Sequence, residues 1–171
     1  MVKNKRLYRK VSIIGLGLIG SSIALAIKRK NLAQVTSGYS RSLKTRNAAK
    51  KLKITDKIEN NIGNCVKDSD LVIICTHLNS YKSIFKKILP YLSGKTIVSD
   101  VGSAKESAIA SVEKFTQNKI NFVPAHPIAG TEKSGPSAGF AELFENRWCI
   151  ITPLKNNTSK DINLSLIHIS E

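Results

Sequence analysis

Short apolar runs alternate along this chain with stretches whose apolar residues recur every three to four positions. VSIIG (11–15) is a β-branched run, and Ile19, Ile23, Ala26 and Ile27 then repeat at helical spacing, so the chain opens as strand, turn, helix. A second strand is expected at 35–39, a helix over 43–52, and a short extended piece at 57–58. LVIICT (71–76) is continuously apolar, as suits a strand buried on both faces of a parallel sheet. Tyr81, Ile84, Phe85, Ile88, Leu89 and Leu92 form one helical stripe that Gly94 stops. TIVSD (96–100) predicts another strand, and Ala108, Ile109, Val112 and Phe115 stripe another helix. INFVPAH (120–126) and WCIITP (148–153) predict the last two strands. Strands alternating with helices imply an α/β fold with a doubly wound, mainly parallel sheet. Such sheets bind ligands outside the carboxyl ends of their strands.

Length and composition narrow this picture. The 171 residues suffice for one well-buried domain, expected at 1–155 and followed by a tail at 156–171. No apolar run approaches the roughly 20 residues of a membrane-spanning helix. The basic N-terminus runs straight into a strand rather than a secretory leader, so a soluble, cytoplasmic protein without a membrane partner is expected. Cys65, Cys75 and Cys149 are odd in number and widely spaced, which argues against a disulfide framework or a bound metal. The net charge of +15 is spread over helix faces without interleaved aromatics. Solvated basic surface that attracts small anions is therefore expected, and not nucleic acid.

Three motifs carry chemistry. GLGLIG, comprising Gly15, Leu16, Gly17, Leu18, Ile19 and Gly20, fits G-x-G-x-x-G between a strand and a helix. In such a turn Gly15 permits the tight bend, Gly17 lets backbone approach a pyrophosphate, and Gly20 lets helix and strand pack closely. Ser40 stands where an NAD-preferring site places an acid, with Arg41, Lys44 and Arg46 close by. NADP is therefore favoured and NAD remains possible. Thr76, at the end of 71–76, is placed with the cofactor residues. The second motif is SDVGSAK (99–105). Its Ser103 suits a helix N-cap and also a place in the crevice beside a nicotinamide. The third is AHPIAGTEKSG (125–135), in which Pro127 restricts His126 to extended backbone at a strand end. An imidazole there can take a proton from a substrate hydroxyl. His77 follows a strand without such a setting, and His168 lies near the end of the chain.

With GLGLIGSS, SDVGSAK, HPIAGTEKSG and ENRWCIITP in this order, residues 9–155 resemble the prephenate dehydrogenase family, including its arogenate and cyclohexadienyl branches. The resemblance implies a Rossmann-type domain that oxidises prephenate or arogenate with NAD(P), releasing carbon dioxide, on the route to tyrosine. It implies that His126 is the catalytic base and that Ser103 orients it beside the nicotinamide. Thr131 and Glu132 would help shape the substrate end of the pocket. The family continues into a helical C-terminal domain that forms a homodimer and binds the substrate carboxylate. This chain is expected to lack that domain, with its tail truncated or frame-disrupted. Two other readings fit the glycine turn alone: another Rossmann dehydrogenase of hydroxyacid or imine type, and a non-catalytic nucleotide-binding module.

Overall fold

A computed structural model describes residues 6–116 and 120–166. Seven strands form one sheet in the order β3-β2-β1-β4-β5-β6-β7. The strands are β1 (Tyr8–Ile14), β2 (Ala33–Tyr39), β3 (Lys57–Ile58), β4 (Leu71–Ile74), β5 (Ile97–Asp100), β6 (Asn121–Pro127) and β7 (Cys149–Ile151). All neighbours run parallel except β7, which lies antiparallel on β6. The helices are α1 (Leu18–Arg29), α2 (Leu43–Lys51), α3 (Ile62–Val66), α4 (Tyr81–Ile88), α5 (Lys105–Thr116) and α6 (Ser159–Leu166). Chain order reverses between β1 and β4, so the connections leaving their carboxyl ends run in opposite directions, as at the crevice of a doubly wound sheet.

Central strands read as unbroken apolar runs because both faces are covered. In β4, Leu71 and Ile73 join the core beneath α1, whereas Val72 and Ile74 join the core beneath α4 and α5. Tyr81, Phe85 and Phe122 fill that second core, with edge-on ring contacts at 6.2 Å. On the first side the loop after β6 folds back over α1. Gly139 packs against Ser21, Phe140 N–H donates to the Ser22 hydroxyl at 3.1 Å, and Leu143 and Phe144 are buried. Arg29 pairs with Glu142 and Glu145 across the same contact.

The predicted stripe toward Gly94 ends early. Helix α4 stops at Ile88, and Leu89–Tyr91 form a single 3₁₀ turn, because Pro90 lacks an N–H and its ring obstructs a continuing α-helix. Helix α3 escapes periodicity because it has five residues. It is set by Asn61, whose side chain accepts from Gly63 N–H at 2.7 Å and Asn64 N–H at 3.2 Å. Where a tail was expected, Ser159–Leu166 form α6, and the buried Ser165 donates to Ser99 on β5 at 3.2 Å. Among the described residues, no helix is long and apolar enough to cross a membrane.

Candidate functional site

The turn after β1 is built by close approach. Gly15 has φ +99°, and an added Cβ would lie 2.3 Å from the carbonyl oxygen of Cys75, the residue that follows β4. A Cβ on Gly20 would lie 1.9 Å from the Gly15 oxygen, so α1 sits directly on the turn. Gly17 is different. It is the N-cap of α1 with no side-chain cap, and an added Cβ would meet nothing within 4 Å. The space beside Gly17, at the start of α1, is thus free, which suits an anion drawn to a helix N-terminus.

That space is a groove of about 600 Å³ at the carboxyl ends of the strands. Gly15, Leu16 and Gly17 form one wall, Ser40, Arg41 and Ser42 another, and Cys75, Thr76 and His77 a third. The expected residues Gly15, Leu16, Gly17, Ser40, Arg41 and Thr76 therefore converge. Leu18, Ile19 and Gly20 do not line the groove. Leu18 and Gly20 are buried in the packing of α1, and Ile19 is half-buried against the same core. His77 does line it, against the expectation of a residue without a setting. Thr76 Oγ1 is buried without a hydrogen-bond partner, as befits a hydroxyl that a ligand completes. The open N-terminus, the Gly17 cradle and this hydroxyl fit a dinucleotide.

The basic cluster divides its work. Arg46 turns inward, donating to the Ser40 and Arg41 carbonyls at 2.6 and 3.0 Å with its guanidinium 5.9 Å above the Tyr39 ring. It shapes the end of β2, and Arg41 is left exposed at the groove rim. Ser83 and Lys87 line the groove from α4. They lie opposite the Tyr81/Ile84/Phe85/Ile88 stripe, a signal visible in the helical period.

His126 lies one residue before the end of β6 and is half-buried. Its Nδ1 is 3.2 Å from the Val101 carbonyl oxygen, which can only accept, so Nδ1 is the donor in that bond. The expected orienting partner differs. Ser103 is exposed two residues ahead of α5, its carbonyl accepting from Lys105 N–H at 3.0 Å, and the group facing Nδ1 is a backbone carbonyl from the same loop. Thr131 and Glu132 are exposed, and neither lines the groove; the Thr131 hydroxyl accepts from Lys133 N–H at 3.2 Å. Gly135, from the same loop, does reach it. His168 lies outside the described residues.

A buried polar cluster beside His126 was missed, although two of its members stand in the quoted SDVGSAK. Asp100 is fully buried and pairs with Lys105 at 2.5 Å. It also accepts from the Tyr81 hydroxyl at 2.7 Å and Gly102 N–H at 3.1 Å. Burial lowers the Lys105 ammonium from its ordinary value, and the neighbouring Asp100 works against that shift. The available signal was an acid closing an apolar strand with a lysine five residues on. Among the described residues no group of His, Cys, Asp and Glu is placed to hold a metal ion.

A doubly wound sheet with a glycine turn, an uncapped helix N-terminus and a groove at the reversal point is a nucleotide-binding domain of Rossmann type. The profile described as "Prephenate dehydrogenase, nucleotide-binding domain" matches residues 23–168. The chain is 39% identical over 146 residues to the cyclohexadienyl dehydrogenase of Zymomonas mobilis, covering 85% of this chain and 50% of that protein. It is 35% identical to the prephenate dehydrogenase of Lactococcus lactis, covering 84% and 41% of the two chains. The prephenate dehydrogenase of Aquifex aeolicus, solved with hydroxyphenyl propionate and NAD+, superposes with a TM-score of 0.84 at 28% identity, covering 95% of this chain and 59% of that one. The chain belongs to the prephenate dehydrogenase family and contains its nucleotide-binding domain. It spans about half the length, or less, of these curated relatives.

Proposed function

We propose that this chain binds NADP in preference to NAD and supplies the general base for oxidative decarboxylation of prephenate or arogenate in tyrosine biosynthesis. The observation that carries the reading is His126, held at the carboxyl end of β6 with its Nδ1 3.2 Å from the Val101 carbonyl oxygen. Gly15, Gly17, Thr76 and the N-terminus of α1 would hold the pyrophosphate side of the dinucleotide. Ser40 and Arg41 would hold its ribose end, where the missing acid and the exposed guanidinium favour a 2′-phosphate. The bound nicotinamide supplies a hydride acceptor. His126 takes the proton of the ring hydroxyl at Nε2 as that carbon is oxidised. The ring carboxylate leaves as carbon dioxide, and its bonding electrons complete the aromatic ring. The protein's task is mainly to align these groups, because aromatisation drives the reaction.

The outward face beside His126 supports a two-part pocket. Residues opposite one another in an antiparallel pair share a face, so His126 stands with Ile150. Ile128, Trp148 and Ile150 are exposed there, Trp148 at 83%. We propose that the further length carried by the relatives covers this face, closes the substrate pocket and forms the homodimer. Membrane and nucleic acid have no place in this reading, and the cytoplasm is its setting.

The test is reduction of NADP or NAD on adding prephenate, with arogenate in parallel. It is run on this chain and on a chimera carrying the C-terminal half of the Zymomonas relative. Turnover in the chimera, abolished by His126→Asn and with its NADP preference reduced by Arg41→Ala, is expected. Nucleotide binding without turnover by either protein would overturn the dehydrogenase reading.

A further inference from the structure

We propose that the buried Asp100–Lys105 pair, braced by Tyr81, is a positioning device that keeps His126 in the Nδ1–H tautomer with Nε2 free to accept a proton. The inference rests on the reading of His126 as the base.

The sheet itself does not do this. Parallel pairing between β5 and β6 runs from Ile97↔Asn121 to Asp100↔Pro124 and stops there. Strand β6 continues for three more residues, and the ladder holds these only on the β7 side. His126 is one of them. On the β5 side, the gap is bridged by side chains. Asp100 Oδ1 accepts from Ala125 N–H at 3.3 Å, and Lys105 Nζ donates to the Ala125 carbonyl at 2.6 Å, so both polar groups of the residue before His126 are held. The residue after Asp100 is Val101, whose carbonyl meets His126 Nδ1 at 3.2 Å. Gly102 N–H returns to Asp100 Oδ2 at 3.1 Å, which fixes the direction of that loop. The ring and the carbonyl it meets are therefore each anchored, one residue away, to the same carboxylate.

Fold stability is a poor reason for this pair. Burying two charges costs solvation that an apolar pair of like volume avoids, and neutral replacements often match or exceed a buried ion pair. Asp100 receives donors from Lys105, Ala125 and Tyr81 as well as Gly102, which saturates both oxygens. Such a satisfied network rigidifies its surroundings. A carbonyl moved out of reach would release Nδ1 and let the proton occupy either nitrogen.

The experiment is an imidazole ¹H–¹⁵N correlation on this chain above the histidine titration, with the His126 signals assigned by their loss in His126→Asn. Lys105→Met alone leaves a buried carboxylate without its counter-charge and is expected to unfold. The informative variants are therefore the neutral pair Asp100→Asn/Lys105→Met and the milder Tyr81→Phe. The parent should show one tautomer, protonated at Nδ1. The double variant, folded as judged by circular dichroism and nucleotide binding, should show a mixture, and Tyr81→Phe a smaller change in the same direction. In the chimera the double variant should lose kcat on the order of 10- to 100-fold, as expected for a misplaced catalytic group, with nucleotide KM little changed. A parent tautomer signature retained in Tyr81→Phe and in the folded double variant would overturn the proposal, as would retention in Tyr81→Phe if the double variant does not fold. The tautomer readout needs no substrate. Absence of turnover in every chimera would therefore count against the dehydrogenase reading and not against this one.

Discussion

Gly17 and Gly20 stand three residues apart in one motif, yet an added methyl meets opposite surroundings at the two positions. At Gly17 it enters open space, and the backbone, with φ −84° and ψ −162°, is available to alanine. Replacing an N-cap glycine by alanine costs about 1 kcal/mol, and reduced freedom of the unfolded chain returns about 0.4–1 kcal/mol. Gly17→Ala should therefore change stability by less than about 1 kcal/mol, or under about 4 °C in Tm for a chain of this size. Its effect falls on the ligand. A methyl over the N-terminus of α1 holds a pyrophosphate away from the amides, and each charge-assisted bond lost is worth about 1.5–3 kcal/mol. Affinity for NADP should fall by about tenfold or more.

At Gly20 the methyl lands 1.9 Å from the Gly15 carbonyl oxygen, a backbone atom that cannot rotate aside. Overpacking costs about 1–3 kcal/mol or more, against about 1 kcal/mol gained in helix propensity. Gly20→Ala should lower Tm by several degrees and disturb the turn as a whole. Thermal unfolding by circular dichroism and calorimetric titration with NADP measure both effects. Undiminished affinity in Gly17→Ala would show that the phosphates lie elsewhere. Wild-type stability in Gly20→Ala would refute the packing argument.

Three further outcomes follow from the same structure. Burial pushes the Cys65 thiol up to about 11 and raises Cys75 and Cys149 as well. A disulfide reagent at neutral pH should label the native protein slowly at all 3 cysteines and promptly in denaturant, and nucleotide should further protect Cys75 in the groove wall. Burial disfavours the Asp70 carboxylate, but the Arg9 guanidinium at 2.8 Å and the Arg9 N–H at 2.6 Å outweigh it and hold its pKa below the ordinary value. A depressed carboxyl pKa stabilises the fold above the unfolded value and loses that effect as pH falls through the folded one. The stability gap between wild type and Asp70→Asn, measured by urea unfolding, should therefore be full near neutrality and shrink below about pH 4; a constant gap would refute the assignment. Trp148 is the chain's single tryptophan and 83% exposed, so its fluorescence should be water-like and readily quenched by acrylamide. In the chimera the emission should shift to the blue if the added half covers that face, and an unchanged spectrum would count against the covering.

Much of this protein is legible in its sequence because much of it obeys local rules. The both-faces-buried run 71–74, the stripe of α4 and the glycines between β1 and α1 each declare themselves through neighbours a few residues away. Those rules locate elements, and their alternation orders them into a doubly wound sheet whose ligand edge follows. The groove brings together Gly15, Gly17, Ser40, Arg41 and Thr76 from those readings, and His126 lies near the end of β6 outside its lining. Short pieces such as α3, set by one asparagine side chain, carry too few positions for a period to register.

Tertiary structure alone decided what each polar group does there. Arg46 turns inward because the carbonyls of Ser40 and Arg41 lie within its reach, and Arg41 is left exposed at the rim. The Val101 carbonyl meets the His126 Nδ1 through the backbone, a contact no side-chain pattern encodes. Asp100 and Lys105 meet Ala125 across 25 and 20 residues of chain, at the point where the β5–β6 ladder ends. A sequence period reports which face of its own element a residue occupies. The register at which two distant strands pair, and the place where that pairing stops, are settled when the sheet closes, and they determine which donor meets which acceptor.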